Sequence, residues 1–205
     1  VRLINPSIGE TFLVSGLGLI GLLTCQILKA NGCNVLGLDP DESKCTLAES
    51  FGVITNHKVD EDLDYWVKSN TQNIGVDGAL ITASTKSSSP ITKAANACRK
   101  KGRIIMIGST GMTFNRNDFY SKELSFGVSC SYGPGRYDDN YELQGNDYPI
   151  GYVRWTEKRN FEAILNLLKN NYINIEKLIS SKYSINDAVQ AYQSLNLNNS
   201  NLGIL

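Results

Sequence analysis

Residues 12–39, FLVSGLGLIGLLTCQILKANGCNVLGLD, restrict the folds open to this chain more than any other stretch. A short apolar run, Phe12-Leu13-Val14, predicts a buried strand. It runs into Gly16, Gly18 and Gly21, spaced G-x-G-x-x-G, with Leu17, Leu19 and Ile20 between them. An apolar helical pattern covers 19–30, and a second strand over 34–38 ends on Asp39. Gly16 permits the tight turn out of the strand, Gly18 lets an anionic group approach the backbone, and Gly21 lets helix and strand pack closely. The start of a helix leaves backbone N–H groups unpaired and carries partial positive charge, which suits a pyrophosphate. Asp39 lies about 20 residues beyond the glycines, where a carboxylate can accept hydrogen bonds from a ribose diol. Together these features predict a dinucleotide site. An acid at 39 repels a 2′-phosphate, so NAD is favoured over NADP. The competing account is a strand–turn–helix whose glycines serve packing alone, with Asp39 capping the next helix.

The same alternation continues downstream. Helices are predicted over 41–51, closed by Gly52 as a left-handed cap, and over 60–70 with Leu63, Trp66 and Val67 on one face. A third, short strand is predicted over 53–55 and a fourth over 76–82. Ser89-Pro90 starts a helix through Cys98, with proline at its favoured first position. Lys101-Gly102 ends that section before an apolar strand over 103–107, and a last strand is predicted over 124–131. Strands alternating with helices predict a parallel sheet covered on both faces. The expected fold is α/β, a doubly wound Rossmann sheet of about six strands in the order 3-2-1-4-5-6, with a helical C-terminal extension. The aromatic stretch 132–155 shows no period and reads as an ordered loop, because its tyrosines oppose simple disorder. Within 156–205, an amphipathic helix is predicted over 156–170 with Phe161, Ile164, Leu165 and Leu168 inward. A second follows over 185–195 with Ala188, Ala191 and Tyr192 on its packing face, then an Asn-rich connector over 197–202.

Charge excludes some partners. Twenty basic residues balance twenty acidic ones, so no net field draws the chain to nucleic acid or an anionic membrane. No apolar run has the length of a membrane span. Five cysteines lie without C-x-x-C spacing, which argues against a disulfide framework or zinc and suits a reducing cytoplasm. The single histidine, His57, follows the short third strand and reads as an exposed loop residue, so no metal site is expected.

The stretches VSGLGLIGLLTCQILKANGCNVLGLD, DESK, AESFGV, VDGALITAS and GRIIMIGSTG resemble the cofactor half of the medium-chain dehydrogenase/reductase superfamily. ISSKYSINDAVQAYQSL resembles its closing segment, which precedes a final strand such as Gly203-Ile204-Leu205. GPGRYDDNYELQGNDYPIGYVRWTEKRN resembles a bi-domain oxidoreductase subgroup linked to surface polysaccharide synthesis. The resemblance implies one cofactor domain over 1–205 and a GroES-like N-terminal catalytic domain, with any zinc ligands, as a missing partner. It implies hydride transfer between nicotinamide and an alcohol or carbonyl, with a sugar or sugar nucleotide as one open substrate class, and a fragment that binds cofactor without turnover. A homo-oligomer stays open. So do a regulatory module that senses a dinucleotide without turnover and a methyltransferase-like nucleotide domain.

Further site candidates follow from position. Pro40 adjoins Asp39, and Lys44 matches a basic family position near the adenosine. Thr82, Ala83 and Ser84 follow one parallel strand, and Ile107, Gly108 and Ser109 follow the next, where ligands of open α/β sheets lie. They are expected on the adenosine and ribose side and near the nicotinamide, respectively. Alternatively Thr82 to Ser84 form a plain capping loop and Gly108 only ends its strand. Arg136, Tyr137 and Arg154 are candidates for substrate, since guanidinium forks suit carboxylates and phosphates. The alternative is that Arg136, Arg154 and Arg159 anchor the loop to Asp138, Asp139, Asp147 or Glu157, while Tyr132, Tyr137 and Tyr152 pack it down. No catalytic acid or base is assigned.

Overall fold

A computed structural model describes residues 1–59, 62–197 and 201–205. Six strands form one parallel sheet: β1 (Thr11–Ser15), β2 (Asn34–Leu38), β3 (Ile54–Asn56), β4 (Val76–Ile81), β5 (Cys98–Met106) and β6 (Ser125–Val128). Their order, β3-β2-β1-β4-β5-β6, is the predicted doubly wound one. The crossovers carry helices α1 (Leu19–Ala30), α2 (Glu42–Glu49), α3 (Leu63–Asn70), α4 (Ser89–Ala97) and α5 (Arg116–Tyr120). Parallel neighbours need such long crossovers, since a tight turn can only reverse the chain.

Side chains along a strand alternate between faces, and here both faces are buried. Phe12, Val14 and Leu80 join Leu22, Cys25 and Leu28 of α1 and Ala48 of α2 in one core. Leu13, Ala79 and Ile81 join Val67 of α3 and Ile91 and Ala94 of α4 in the other. This is why the central strands read as continuous apolar runs.

Several expectations shift. Strand β5 begins at Cys98 rather than at 103, because Lys101 takes φ +61° and the pairing with β4 slips between Val76 and Gly78, so the chain stays in the sheet. The last strand is confined to Ser125–Val128. Residues 60 and 61, the expected start of the third helix, and 198–200 of the connector lie outside the described residues. The aromatic loop carries a short helix, α6 (Asp139–Glu142).

Helix α7 (Glu157–Lys169) forms as expected, but Phe161 and Leu165 are exposed rather than inward, each at 62%. Ile164, Leu167 and Leu168 are half-buried instead, so the buried stripe is rotated from the one expected. In α8 (Ala188–Leu197), Tyr192 is likewise exposed rather than packed. A small parallel pair, β7 (Ile179–Ser181) and β8 (Gly203–Ile204), accompanies these helices. This region is held to α1 by Gln26, whose amide donates to the Asn174 carbonyl at 3.1 Å and accepts from the Asn174 N–H at 2.7 Å. Leu178 enters the first core beside it.

Candidate functional site

The carboxyl ends of β1, β2, β4 and β5 bring the predicted cofactor residues into one row. The three glycines of the loop differ in what requires them. Gly16 takes φ +100°, and a Cβ there would lie 2.6 Å from the Ala83 nitrogen. A Cβ on Gly21 would lie 1.9 Å from the Gly16 carbonyl oxygen. Both are demanded by the chain packing on itself. Gly18 has φ −68° and ψ −172°, a conformation open to any residue, and a Cβ there would meet nothing within 4 Å. The fold does not need glycine at 18, whereas a ligand lying against the backbone does. Gly18 is also the N-cap of α1, which has neither a side-chain cap nor an acidic residue in its first turn. The cradle therefore fits a pyrophosphate.

Asp39 is 7% exposed. Its Oδ2 accepts from the Leu17 N–H at 2.7 Å and its Oδ1 from the Asp41 N–H at 2.9 Å. Capping of α2 falls instead to Asp41, whose carboxylate accepts from the Ser43 N–H at 2.9 Å. Pro40 is exposed, and Lys44 is half-buried 3.5 Å from Asp41. Thr82 turns its hydroxyl inward, donating to the Gly16 carbonyl at 2.5 Å and lying 3.1 Å from that of Ser15. Ser84 and Ser109 bridge the segments that prolong β4 and β5, and the Ile107 and Gly108 N–H groups donate to the Ile81 carbonyl at 2.9 and 2.8 Å. A Cβ on Gly108 would lie 2.1 Å from the Ala83 oxygen, so close approach of these segments explains that glycine.

Arg136, Tyr137 and Arg154 are not drawn into this row. Arg136 pairs with Glu142 at 2.5 Å, a partner the sequence reading missed, and lies 4.3 Å above the ring of Tyr137. Tyr137 is 76% exposed at φ +67°, and Tyr152 is 90% exposed, so neither packs the loop down. Arg154 lies 4.0 Å above Trp155, which also carries Arg2 at 3.3 Å. The anchor is Arg159, which pairs with Asp147 at 3.0 Å and donates to the carbonyls of Val153 and Tyr148 at 2.5 and 2.6 Å. Tyr132 donates to Glu142 and Tyr148 to Asp138, while Tyr141 stacks on Tyr148 at 5.5 Å. These hydrogen bonds hold both carboxyls below their usual range, Glu142 through Tyr132 and then Arg136, Asp138 chiefly through Tyr148.

No group of three His, Cys, Asp or Glu side chains fit for a metal ion gathers among the described residues. His57 is exposed beyond β3, and Cys25 and Cys98 are buried thiols that burial pushes up to about 12. The described residues thus gather no ready set of zinc ligands. No described helix is long and apolar enough to cross a membrane. An open aromatic groove of about 840 Å³, lined by Phe114, Phe119, Tyr120 and Leu124, lies beside the edge strand and away from the glycine loop.

Comparison with known proteins adds to this geometry. Residues 20–144 match the model of the zinc-binding dehydrogenase family. The D-guloside 3-dehydrogenase of Escherichia coli K12 is 26% identical over 200 residues, covering 94% of this chain and 52% of that protein. The quinone oxidoreductase of Rattus norvegicus is 35% identical over 126 residues, 59% of this chain and 37% of that protein. The chain thus spans about half the length, or less, of the curated relatives it matches. Among solved structures, the 2R,3R-butanediol dehydrogenase of Bacillus subtilis superposes with a TM-score of 0.76 at 22% identity, over 99% of this chain and 52% of that one. A short chain alcohol dehydrogenase of Escherichia coli CFT073, solved with NADH, superposes with a TM-score of 0.74 at 19% identity, over 99% of this chain and 53% of that one.

Proposed function

The chain belongs to the zinc-binding dehydrogenase family, as the cofactor-binding half of a medium-chain dehydrogenase/reductase, and from that premise we propose that it binds NAD(H) across its glycine loop. In a longer parent, this half presents the nicotinamide for hydride exchange with an alcohol or carbonyl carbon of a sugar or polyol. The observation that carries the reading is the open space before Gly18, between two glycines that the fold itself requires.

Each residue then has a task. The first N–H groups of α1, from Gly18 onward, hold the pyrophosphate against the positive end of the helix. Asp39 offers its remaining lone pairs to the adenosine ribose and repels a 2′-phosphate. Lys44 lies on the adenosine side. Thr82, Ala83 and Ser84 wall the middle of the cleft, and Ile107, Gly108 and Ser109 wall its nicotinamide end. Bound NAD supplies the hydride chemistry, while the protein orients it and excludes water. The 1–205 unit is one cofactor domain whose catalytic partner, a GroES-like domain, lies elsewhere in the parent, a view supported by the 52% coverage of the guloside dehydrogenase. A sugar or polyol substrate is supported by relatives named D-guloside 3-dehydrogenase, L-arabinitol 4-dehydrogenase and sorbitol dehydrogenase. Tyr137 and Arg154 lie outside the cofactor row with exposed side chains and are the loop residues left to meet such a substrate; Arg136 can do so only by sharing its guanidinium with Glu142.

Titration of NADH and NADPH by fluorescence tests the proposal. A charge-assisted hydrogen bond contributes about 1.5–3 kcal/mol, so NADH should bind more than roughly tenfold tighter. Equal affinities, or a preference for NADPH, would sink the role given to Asp39.

A further inference from the structure

We infer that the Gly16–Leu17 peptide is clamped from both sides, and that Asp39 and Thr82 are positioning residues for the pyrophosphate; this rests on the cofactor reading above. The Gly16 carbonyl accepts from the Thr82 hydroxyl at 2.5 Å, and the Leu17 N–H of the same peptide unit donates to Asp39 Oδ2 at 2.7 Å. The two partners stand at the ends of β4 and β2, the strands that flank β1 on either side.

A flip of this peptide rotates ψ of Gly16 and φ of Leu17, and glycine, at φ +100° here, leaves ψ freer than any residue with a Cβ would. Flipping would turn the carbonyl toward the Asp39 carboxylate and leave the Thr82 hydroxyl facing an N–H. Burial sharpens the preference, since Leu17 is fully buried and Asp39 nearly so, and a carboxylate there needs its donors. The clamp also accounts for Gly21, whose absent Cβ would meet the held carbonyl at 1.9 Å and the Thr82 hydroxyl at 3.0 Å. With the Leu17 N–H taken by Asp39, the donors left for a pyrophosphate are those from Gly18 onward.

Ribose recognition and loop geometry therefore share one carboxylate. Loss of Asp39 acts on both, whereas loss of the Thr82 hydroxyl acts chiefly on the pyrophosphate. This separates the clamp from simple ribose binding.

The test compares ADP-ribose, which carries ribose and pyrophosphate, with adenosine, which carries only the ribose. Calorimetry and ligand-observed NMR on the wild-type chain, Thr82→Val, Thr82→Ser and Asp39→Asn give the affinities. Hydrogen exchange reports on the Leu17 amide. Thr82→Val should weaken ADP-ribose by about tenfold, the worth of a hydrogen bond near the upper end of its range, and weaken adenosine far less. Thr82→Ser should restore ADP-ribose binding, and Asp39→Asn should weaken both ligands. The Leu17 amide should be protected in the wild-type chain and exchange faster in Asp39→Asn. Wild-type ADP-ribose affinity in Thr82→Val, or free exchange of Leu17 in the wild-type chain, overturns the clamp. A wild-type chain with a protected Leu17 that binds no ADP-ribose overturns the cofactor reading instead.

Discussion

The glycine loop after β1 and the aromatic loop after β6 both leave the carboxyl edge of the same sheet, yet opposite means hold them. The first is held by its surroundings. The Gly16 N–H donates to the Leu38 carbonyl at 2.8 Å, Leu17 is fully buried, and groups from β2 and β4 fix the intervening peptide. The second is held largely by itself, with Arg159 of α7 as its anchor from outside. Tyr132, Arg136 and Glu142 form one knot, Asp138 and Tyr148 another, and Tyr141 stacks between the two. Leu143 and Tyr152 meanwhile stand in solvent. A loop shaped by buried backbone and a nearly buried carboxylate is shielded from the solution. A loop shaped by half-exposed carboxylates and phenols answers to pH and to single side-chain changes. The first has the fixed shape that the proposed phosphate cradle requires.

The largest expected effect lies in the glycine loop. Gly21→Ala forces a Cβ against the Gly16 carbonyl, a clash with backbone that cannot swing aside. Overpacking of this kind costs about 3 kcal/mol, which in a chain this size lowers Tm by roughly 6–12 °C. Thermal melts check it, and a variant that melts with wild type would break the claim that the fold itself requires this glycine. In the aromatic loop, Tyr141→Ala removes two ring contacts, with Tyr132 and Tyr148, together on the order of 1–2 kcal/mol, so Tm should fall by roughly 2–8 °C. A larger drop would mean that this loop is bound into the global fold.

Acid offers a gentler probe. The Glu142 and Asp138 carboxyls are held below their usual range in the folded chain by the Tyr132, Arg136 and Tyr148 hydrogen bonds. Their contribution is therefore complete above the ordinary carboxylate pKa and fades as pH falls through the depressed folded values. The near-ultraviolet dichroism of the loop tyrosines should persist through the ordinary carboxylate range and decline only below it. A decline centred near neutrality would rule out these carboxylates as the holders of the loop.

The same contrast explains what the amino-acid sequence made legible. The strands, helices and glycine loop follow from periodicity and from glycine spacing, both local, and the sheet order follows from the doubly wound fold they imply. The extra turn of sheet at Cys98 was hidden because it depends on Lys101 adopting positive φ. Helix α5 was missed under the polar sequence Arg116-Asn117-Asp118. The stripe of α7 was visible, but periodicity alone does not say which side of a stripe is covered, and Phe161 and Leu165 face outward. Thr82 drew notice as a cleft residue, whereas its hydroxyl serves a carbonyl 66 positions away in sequence. Arg136 pairs with Glu142 rather than Asp138 or Asp139 because α6 turns the chain back toward it.

Gly18 tests the account most directly, because the chain packing explains its two companions and leaves it unexplained. Gly18→Val places a branched side chain in space that no protein atom occupies. NADH titration alongside thermal melts should show a variant that melts within about 2 °C of wild type, as a surface substitution should, and binds NADH at least about a hundredfold more weakly, as loss of two charge-assisted contacts implies. A Gly18→Val chain that binds NADH as tightly as wild type would contradict the assignment of this loop as the pyrophosphate cradle.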